Sequence, residues 1–234
     1  VFGETLKGGA FAEFVCVPAN VCARMPGGAG FPEMASVPVA GLTALQALIT
    51  HGMLKEGETV LINGASGGVG HFAVQIAKAY GAIVTGVCSG KNADFVKSIG
   101  ADHVIAYDKE NIHQHSEKYD LVIDTNGNLS HKDYKRMGRR GVMIGFTTMG
   151  HMMSVLLNKA FSKFPLTQFT AETNSNDLER LAYLIQSGQI KVHIEKTYSY
   201  KQIPDAISYI EGMRTRGKVA MLWKNVDNTN RIKS

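Results

Sequence analysis

Short apolar runs alternate with amphipathic ones through the middle of the chain. Residues 58–63, ETVLIN, form a β-branched run that reads as a buried strand, while residues 69–80, VGHFAVQIAKAY, place Val69, Phe72, Ala73, Ile76 and Ala77 on one side of a helix. AIVTGVCS (82–89), HVIAY (103–107), YDLVIDT (119–125) and RGVMIGF (140–146) are further strand-like runs, separated by helical segments such as NADFVKSIG and HKDYKRMG. Alternation of this kind predicts an α/β fold with a parallel sheet covered on both faces. In such a sheet the ligand lies beyond the carboxyl ends of the strands, near the point where strand order reverses.

The flanks follow a different pattern. LTALQALITHG predicts a helix ended by Gly52, and SNDLERLAYLIQSGQI predicts another, capped by Asn176 or Asp177, with Leu178, Leu181, Ala182 and Ile185 as its apolar positions and a stop at Gly188. KVHIEKTYSY and GKVAMLW read as strands on either side of a helix, IPDAISYIEGM, with Pro204 in its first turn. The opening segment, VFGETLKGGAFAEFVCVPA, reads as strand-rich. The last strands are expected to complete a sheet begun by the first forty residues rather than to extend the central one. This gives a partial domain over 1–40, a central domain over 41–170 and a return to the first domain over 171–234. The start at Val1, inside a strand-rich stretch, leads us to expect a missing beginning, and the polar tail NVDNTNRIKS is expected to fray.

Between the first strand and its helix stand Gly64, Gly67, Gly68 and Gly70. Glycine accepts positive φ and lets a ligand come close, and a helix start offers amide hydrogens without partners together with the positive end of the macrodipole. The turn suits a phosphate. Its spacing departs from G-x-G-x-x-G, so a turn packed tightly for its own sake is the competing reading. After the second strand, where an NAD-binding protein offers Asp or Glu to the ribose, this chain has Ser89, Gly90, Lys91 and Asn92. A hydroxyl and an ammonium favour a 2′-phosphate, which a carboxylate repels, so NADPH is expected over NADH. The alternative is a solvated Lys91 with Asn92 capping the next helix. Tyr107 either adds its hydroxyl near the same phosphate or covers the sheet edge.

Composition narrows the class. Of 234 residues, 44% are hydrophobic and 19% charged, which fits a globular domain, and no apolar run approaches a bilayer span. Three cysteines, Cys16, Cys22 and Cys88, form no C-x-x-C pair, which favours a reducing compartment and a cytoplasmic location. The net charge of +5 raises nucleic acid as a partner, but its densest cluster, HKDYKRMGRR, falls on one predicted helix and its exit, where a solvated outer face is the ordinary explanation. His113 and His115 read as a solvated loop pair rather than metal ligands.

GGAFAEFVCVP, ASVPVAGLTALQAL, VLINGASGGVGHFAVQIAKAYGA, FVKSIGADHVIAY, YDLVIDTNG and RGKVAML, in this order and spacing, resemble the medium-chain dehydrogenase/reductase superfamily in its zinc-independent quinone oxidoreductase branch. The resemblance runs from about Gly8 to Trp223. It implies a Rossmann-type doubly wound parallel sheet with a second, β-rich GroES-like catalytic domain, here truncated at its N-terminus, and NADPH-dependent reduction of quinones or α,β-unsaturated carbonyl compounds. It further implies that Ser66, Gly67, Gly68 and Val69 hold the pyrophosphate, that Ser89, Lys91 and Tyr107 meet the 2′-phosphate, and that Asn126, Gly145, Phe146 and Thr147 line the nicotinamide. Thr43 is placed near the nicotinamide ribose and Lys218 close to the cofactor; for Phe146 a core role competes. Zinc relatives carry a cysteine where this chain has Ala40, and alanine supplies no ligand. The four-cysteine structural lobe is not matched either, so no metal is expected. A homodimer is common among such proteins.

Two further readings stand beside the main one. An enoyl-thioester reductase of the same superfamily differs in its acyl channel and its thioester substrate. A non-catalytic NADPH-binding or RNA-binding protein predicts cofactor affinity without NADPH oxidation, and RNA affinity that falls steeply with salt. None of the eight tyrosines has a lysine four places on, which disfavours the short-chain reductases.

Overall fold

The computed structural model describes residues 1–5, 8–12, 14–145, 148–160, 162–212 and 215–223. Phe146, Thr147 and the polar tail lie outside the described residues. Two short strands, β1 (Phe2–Gly3) and β2 (Cys22–Ala23), pair antiparallel. The central runs become β3 (Thr59–Asn63), β4 (Ile83–Cys88), β5 (His103–Ala106), β6 (Tyr119–Asp124), β7 (Gly138–Met143) and β8 (Leu166–Gln168), and the chain closes with β9 (Ile194–Ser199) and β10 (Lys218–Leu222). Among the described residues β3 to β8 form one parallel sheet in the order β5-β4-β3-β6-β7-β8. The chain builds outward from β3 to β5, then returns to place β6 on the other side of β3. Strand order therefore reverses between β3 and β6, the topology of a Rossmann-type doubly wound sheet.

Both faces of this sheet are covered. Val60, Ile62, Leu121 and Ile123 pack into one core with the helix after β3, whereas Leu61 and Val122, pointing the other way, join a second core with Tyr134, Met137 and Leu166. Burial on both faces is why the strands read as continuous apolar runs rather than alternating ones.

The helices are α1 (Phe31–Ala35), α2 (Pro38–Leu45), α3 (Gly70–Ala79), α4 (Ala93–Ser98), α5 (His131–Met137), α6 (Met149–Ala160), α7 (Ser175–Gln186) and α8 (Ile203–Glu211). Several differ from expectation. The helix expected from residue 42 begins at Pro38, whose fixed φ suits a first turn, and beyond Leu45 it widens into a π-helical stretch over Gln46–His51. α7 is capped by Asn174, whose Oδ1 accepts the Asp177 N–H at 2.8 Å, not by Asn176 or Asp177. The edge strand β8 and helix α6 were not among the predicted elements.

Among the described residues the first forty are not strand-rich. Beyond the two-residue β1 and β2, residues 14–18 form no strand, and Phe11, Phe14 and Val15 are exposed. β9 and β10 do stay apart from the central sheet, but they pair with each other, in parallel, rather than with β1 and β2. The reason is α8: a helix between two strands returns the chain in its original direction, so the strands meet parallel.

Candidate dinucleotide site

The glycine turn joins β3 to α3 at the sheet's switch point. Gly64 sits at φ 85°, and its N–H and that of Ala65 both donate to Val87 O on β4, at 3.1 and 2.9 Å. A Cβ on Gly64 would meet Thr125 Oγ1 at 2.3 Å, and one on Gly70 would meet Gly64 O at 2.0 Å. These two positions admit glycine alone. The Gly67 N–H is already used inside the turn, donating to Gly64 O at 3.0 Å, so the donors at the start of α3 without an acceptor among the described residues include those of Gly68 and Val69. With the positive end of the helix dipole, they are donors of the kind a bound anion accepts from.

The chain's C-terminal part closes on this turn. Gly217, at φ 72°, donates its N–H to Ser66 O at 2.9 Å, and the neighbouring Lys218 lays its stem 3.5 Å, and its Nζ 3.8 Å, from where a Gly68 Cβ would stand. No hydrogen-bond acceptor or carboxylate pairs with that ammonium among the described residues, and burial pulls its pKa down. A bound anion would supply the missing counter-charge.

A cleft of about 210 Å³ opens beside the turn. Six of the residues expected from the sequence line it together: Ser66, Gly67, Ser89, Lys91, Tyr107 and Asn126. Its walls also include Gly64, Cys88, Asn92 and Thr215, and none of the lining residues is a carboxylate. Lys91 and Tyr107 are exposed, with their polar ends free to reach a ligand. Asn92 begins α4 without bonding its backbone and instead donates Nδ2–H to Ser66 Oγ at 3.1 Å, tying the second-strand loop to the glycine turn. The buried Cys88 thiol is pushed up to about 11 by burial and then by Asp108, so it is protonated at neutral pH. Thr215 and Cys88 were missed by sequence reasoning, which named Asn92 at this place but gave it only a helix-capping role; for Thr215 only the fold brings the residue here.

Thr43, Gly145, Gly68, Val69 and Lys218 are not among the cleft's lining residues. Thr43 is buried on α2 with its hydroxyl donating to Val39 O at 2.6 Å. Gly145 follows β7, where a Cβ would come within 3.1 Å of Thr125 O. Phe146 and Thr147, as stated, lie outside the described residues.

The loop after β6 is held by Asp124, which is fully buried. Its carboxylate accepts Asn63 Nδ2–H at 2.8 Å, the N–H groups of Asn126 and Gly127 at 3.1 and 2.9 Å, the Leu129 N–H at 3.0 Å and the Tyr134 hydroxyl at 3.3 Å. This fixes Asn126 at the mouth of the cleft.

Elsewhere the basic cluster is in part the solvated face expected, with Lys132, Lys135 and Arg139 exposed, and its three arginines are also paired with carboxylates. Arg136 pairs with Asp133 at 2.8 Å, Arg139 with Asp120 at 3.2 Å and Arg140 with Glu58, and Arg140 also donates to Gly52 O and Asp120 O. His113 and His115 are not simply solvated either: His113 Nδ1 stands 3.0 Å from Asp133 Oδ2, and His115 Nε2 3.0 Å from the Tyr119 hydroxyl. Among the described residues no three His, Cys, Asp or Glu side chains are grouped to hold a metal, and no helix is long and apolar enough to cross a membrane.

A family model described as zinc-binding dehydrogenase matches residues 99–221. The chain is 34% identical over 227 residues to the chloroplast envelope quinone oxidoreductase homolog of Arabidopsis thaliana, an alignment covering 92% of this chain and 69% of that one. It is 31% identical over 243 residues to the mitochondrial NAD(P)H oxidoreductase RTN4IP1 of Bos taurus, covering 92% and 61%. The trans-enoyl reductase pgmF of Aspergillus terreus is 30% identical over 248 residues, covering 98% and 69%. Among solved structures, the quinone oxidoreductase from Coxiella burnetii superposes with a TM-score of 0.73 at 30% identity, covering 82% of this chain and 61% of that one. The Escherichia coli quinone oxidoreductase complexed with NADPH gives 0.71 at 26%, covering 85% and 67%. The chain spans between 61% and 69% of the length of each of these proteins.

Proposed function

The chain belongs to the medium-chain dehydrogenase/reductase superfamily, in its quinone-oxidoreductase-like branch, and from this we propose that it serves the NADPH-dependent reduction of a quinone or an α,β-unsaturated carbonyl compound, without zinc. The observation that carries the reading is that the Gly68 and Val69 amides and the Lys218 ammonium, none of which has a partner among the described residues, come together at the start of α3. A diphosphate matches both in charge and in hydrogen-bonding sense. Preference for NADPH is supported by Ser89, Lys91 and Tyr107, which line one cleft, the nearby Asp108 carboxylate being engaged by the Gly90 N–H at 2.7 Å.

When bound, the nicotinamide supplies the hydride, and the protein's part is to hold and orient it. In this reading Gly68, Val69 and Lys218 hold the diphosphate with the backbone of Ser66 and Gly67 shaping the turn, while Ser89, Lys91 and Tyr107 take the 2′-phosphate. Asn126, Gly145, Phe146, Thr147 and Thr43 are assigned to the nicotinamide end. Zinc independence is supported by the buried methyl of Ala40 in α2, which replaces a thiolate ligand. A cytoplasmic location and a homodimer belong to the same proposal; Cys16, Cys22 and Cys88 are free thiols, in keeping with a reducing compartment.

A second reading, reduction of an enoyl thioester, is favoured by the likeness to a protein named as a trans-enoyl reductase. One experiment separates the two: NADPH absorbance followed with a panel of quinones, enones and enoyl thioesters. Turnover confined to quinones and enones supports the first reading, turnover confined to thioesters the second. Binding without oxidation of NADPH by any acceptor overturns both.

A further inference from the structure

His71 stands directly behind the glycine turn, on the first turn of α3, and is fully buried. Its Nδ1 lies 3.0 Å from Gly67 O, the same oxygen that accepts the His71 main-chain N–H, also at 3.0 Å. A carbonyl oxygen only accepts, so Nδ1 carries the proton. Nε2 is buried with no partner among the described residues. The charged and titratable groups that act on the ring are Lys218 and His193, both of which oppose its protonation, and burial opposes it more strongly still. The ring is therefore a neutral donor aimed at one backbone oxygen.

What that contact accomplishes follows from the peptide plane. The Gly67 carbonyl and the Gly68 N–H belong to one trans peptide unit, so they point to opposite sides. A peptide between two glycines is free to rotate as few others are. Two hydrogen bonds converging on the Gly67 oxygen fix it toward the protein interior, and the Gly68 N–H must then face outward, where Lys218 approaches.

We propose that His71 is a positioning residue of the anion-binding turn: by holding the Gly67 carbonyl inward it presents the Gly68 amide to the diphosphate of the dinucleotide. This rests on the cofactor reading given above. It goes beyond that reading in assigning a role to a side chain that never touches the ligand.

The test compares two ligands on the whole chain by calorimetry. NADPH needs the turn, whereas 2′-AMP engages only the adenosine corner lined by Ser89, Lys91 and Tyr107. His71→Leu removes the donor; His71→Asn keeps an N–H near the place of Nδ1. NADPH affinity is expected to fall tenfold or more in His71→Leu and to stay within threefold of wild type in His71→Asn, with 2′-AMP affinity unchanged within twofold in both. Unchanged NADPH affinity in His71→Leu overturns the proposal, and so does an equal loss for both ligands, which marks general damage. Should His71→Leu fail to fold, His71→Gln decides, because its amide sits beyond Nδ1: equal NADPH affinity in the Asn and Gln variants then overturns the proposal, and a selective loss in Gln upholds it. A wild-type protein that binds neither ligand overturns the dinucleotide reading itself, a result separate from these comparisons.

Discussion

Asn63 and Asp124 face each other across the two strands where the sheet reverses its order: they are register partners at the last residues of β3 and β6, and Asn63 Nδ2 donates to Asp124 Oδ1 at 2.8 Å. The same carboxylate collects three backbone amides of the following loop. Replacing Asp124 with Leu leaves these buried donors without an acceptor. The expected loss is on the order of 3 kcal/mol or more in urea unfolding, since each orphaned buried group costs about 1–3 kcal/mol. A loss within experimental error would mean that the loop finds other acceptors.

Much of this arrangement was legible beforehand, and the reason is burial. Residues 60–62 and 121–123 sit between two cores, so every position is apolar and the run announces a strand. The glycine turn was equally readable, because Gly64 and Gly70 are required by contacts with the turn and the neighbouring loop. Other features depend on partners distant in the chain. Nothing near Gly67 reveals that its own N–H is taken by Gly64 O, nor near Thr215 that Gly217 docks on Ser66. The pairing of Arg139 with Asp120 and of Arg140 with Glu58 needs the folded chain to bring those carboxylates into reach. β8, only three residues long at the sheet's edge, is too short to carry a pattern. The α7 cap did leave a signal, Asn174 three residues before Asp177, which the reading placed too late.

Acid should act through His71. Burial, followed by the charges of Lys218 and His193, lowers its pKa to about 4 in the folded protein against the bonds to the Gly67 and Gly68 backbone. The unfolded chain takes up a proton near the ordinary value, about 6.5, while the folded one does not, so stability is complete above that value and declines as pH falls toward 4. The full effect is on the order of 3 kcal/mol. Denaturant unfolding at pH 7 and pH 5 should show a smaller drop in His71→Asn than in wild type; identical drops would assign the acid sensitivity to other groups.

Arg140 bridges β7 to the segment before β3 through Glu58 and Gly52 O, and to β6 through Asp120 O, with its side chain largely buried. Arg140→Ala uncaps those oxygens and leaves Glu58 without its cation. We expect a destabilisation of about 2–4 kcal/mol by thermal or urea unfolding, with NADPH affinity unchanged for the folded fraction. A loss below about 0.5 kcal/mol would place the bridge among surface pairs of little consequence.

Lys91 should govern the choice between coenzymes. Lys91→Glu puts a carboxylate beside Ser89 and Tyr107, where it repels a 2′-phosphate and accepts from ribose hydroxyls. The ratio of kcat/KM for NADPH to that for NADH is expected to fall at least a hundredfold, about 2.7 kcal/mol. An unaltered ratio removes Lys91 from the site.

The central claim is that the amides of Gly68 and Val69, with Lys218, take up a dinucleotide diphosphate. Its most direct test is calorimetric titration of the folded chain with NADPH, beside Gly70→Ala, whose added methyl would collide with Gly64 O and distort the turn. The account predicts saturable one-to-one binding by the wild type and at least a tenfold weaker interaction in the variant. Absence of heat with the wild type, or equal affinity in the two proteins, would contradict it.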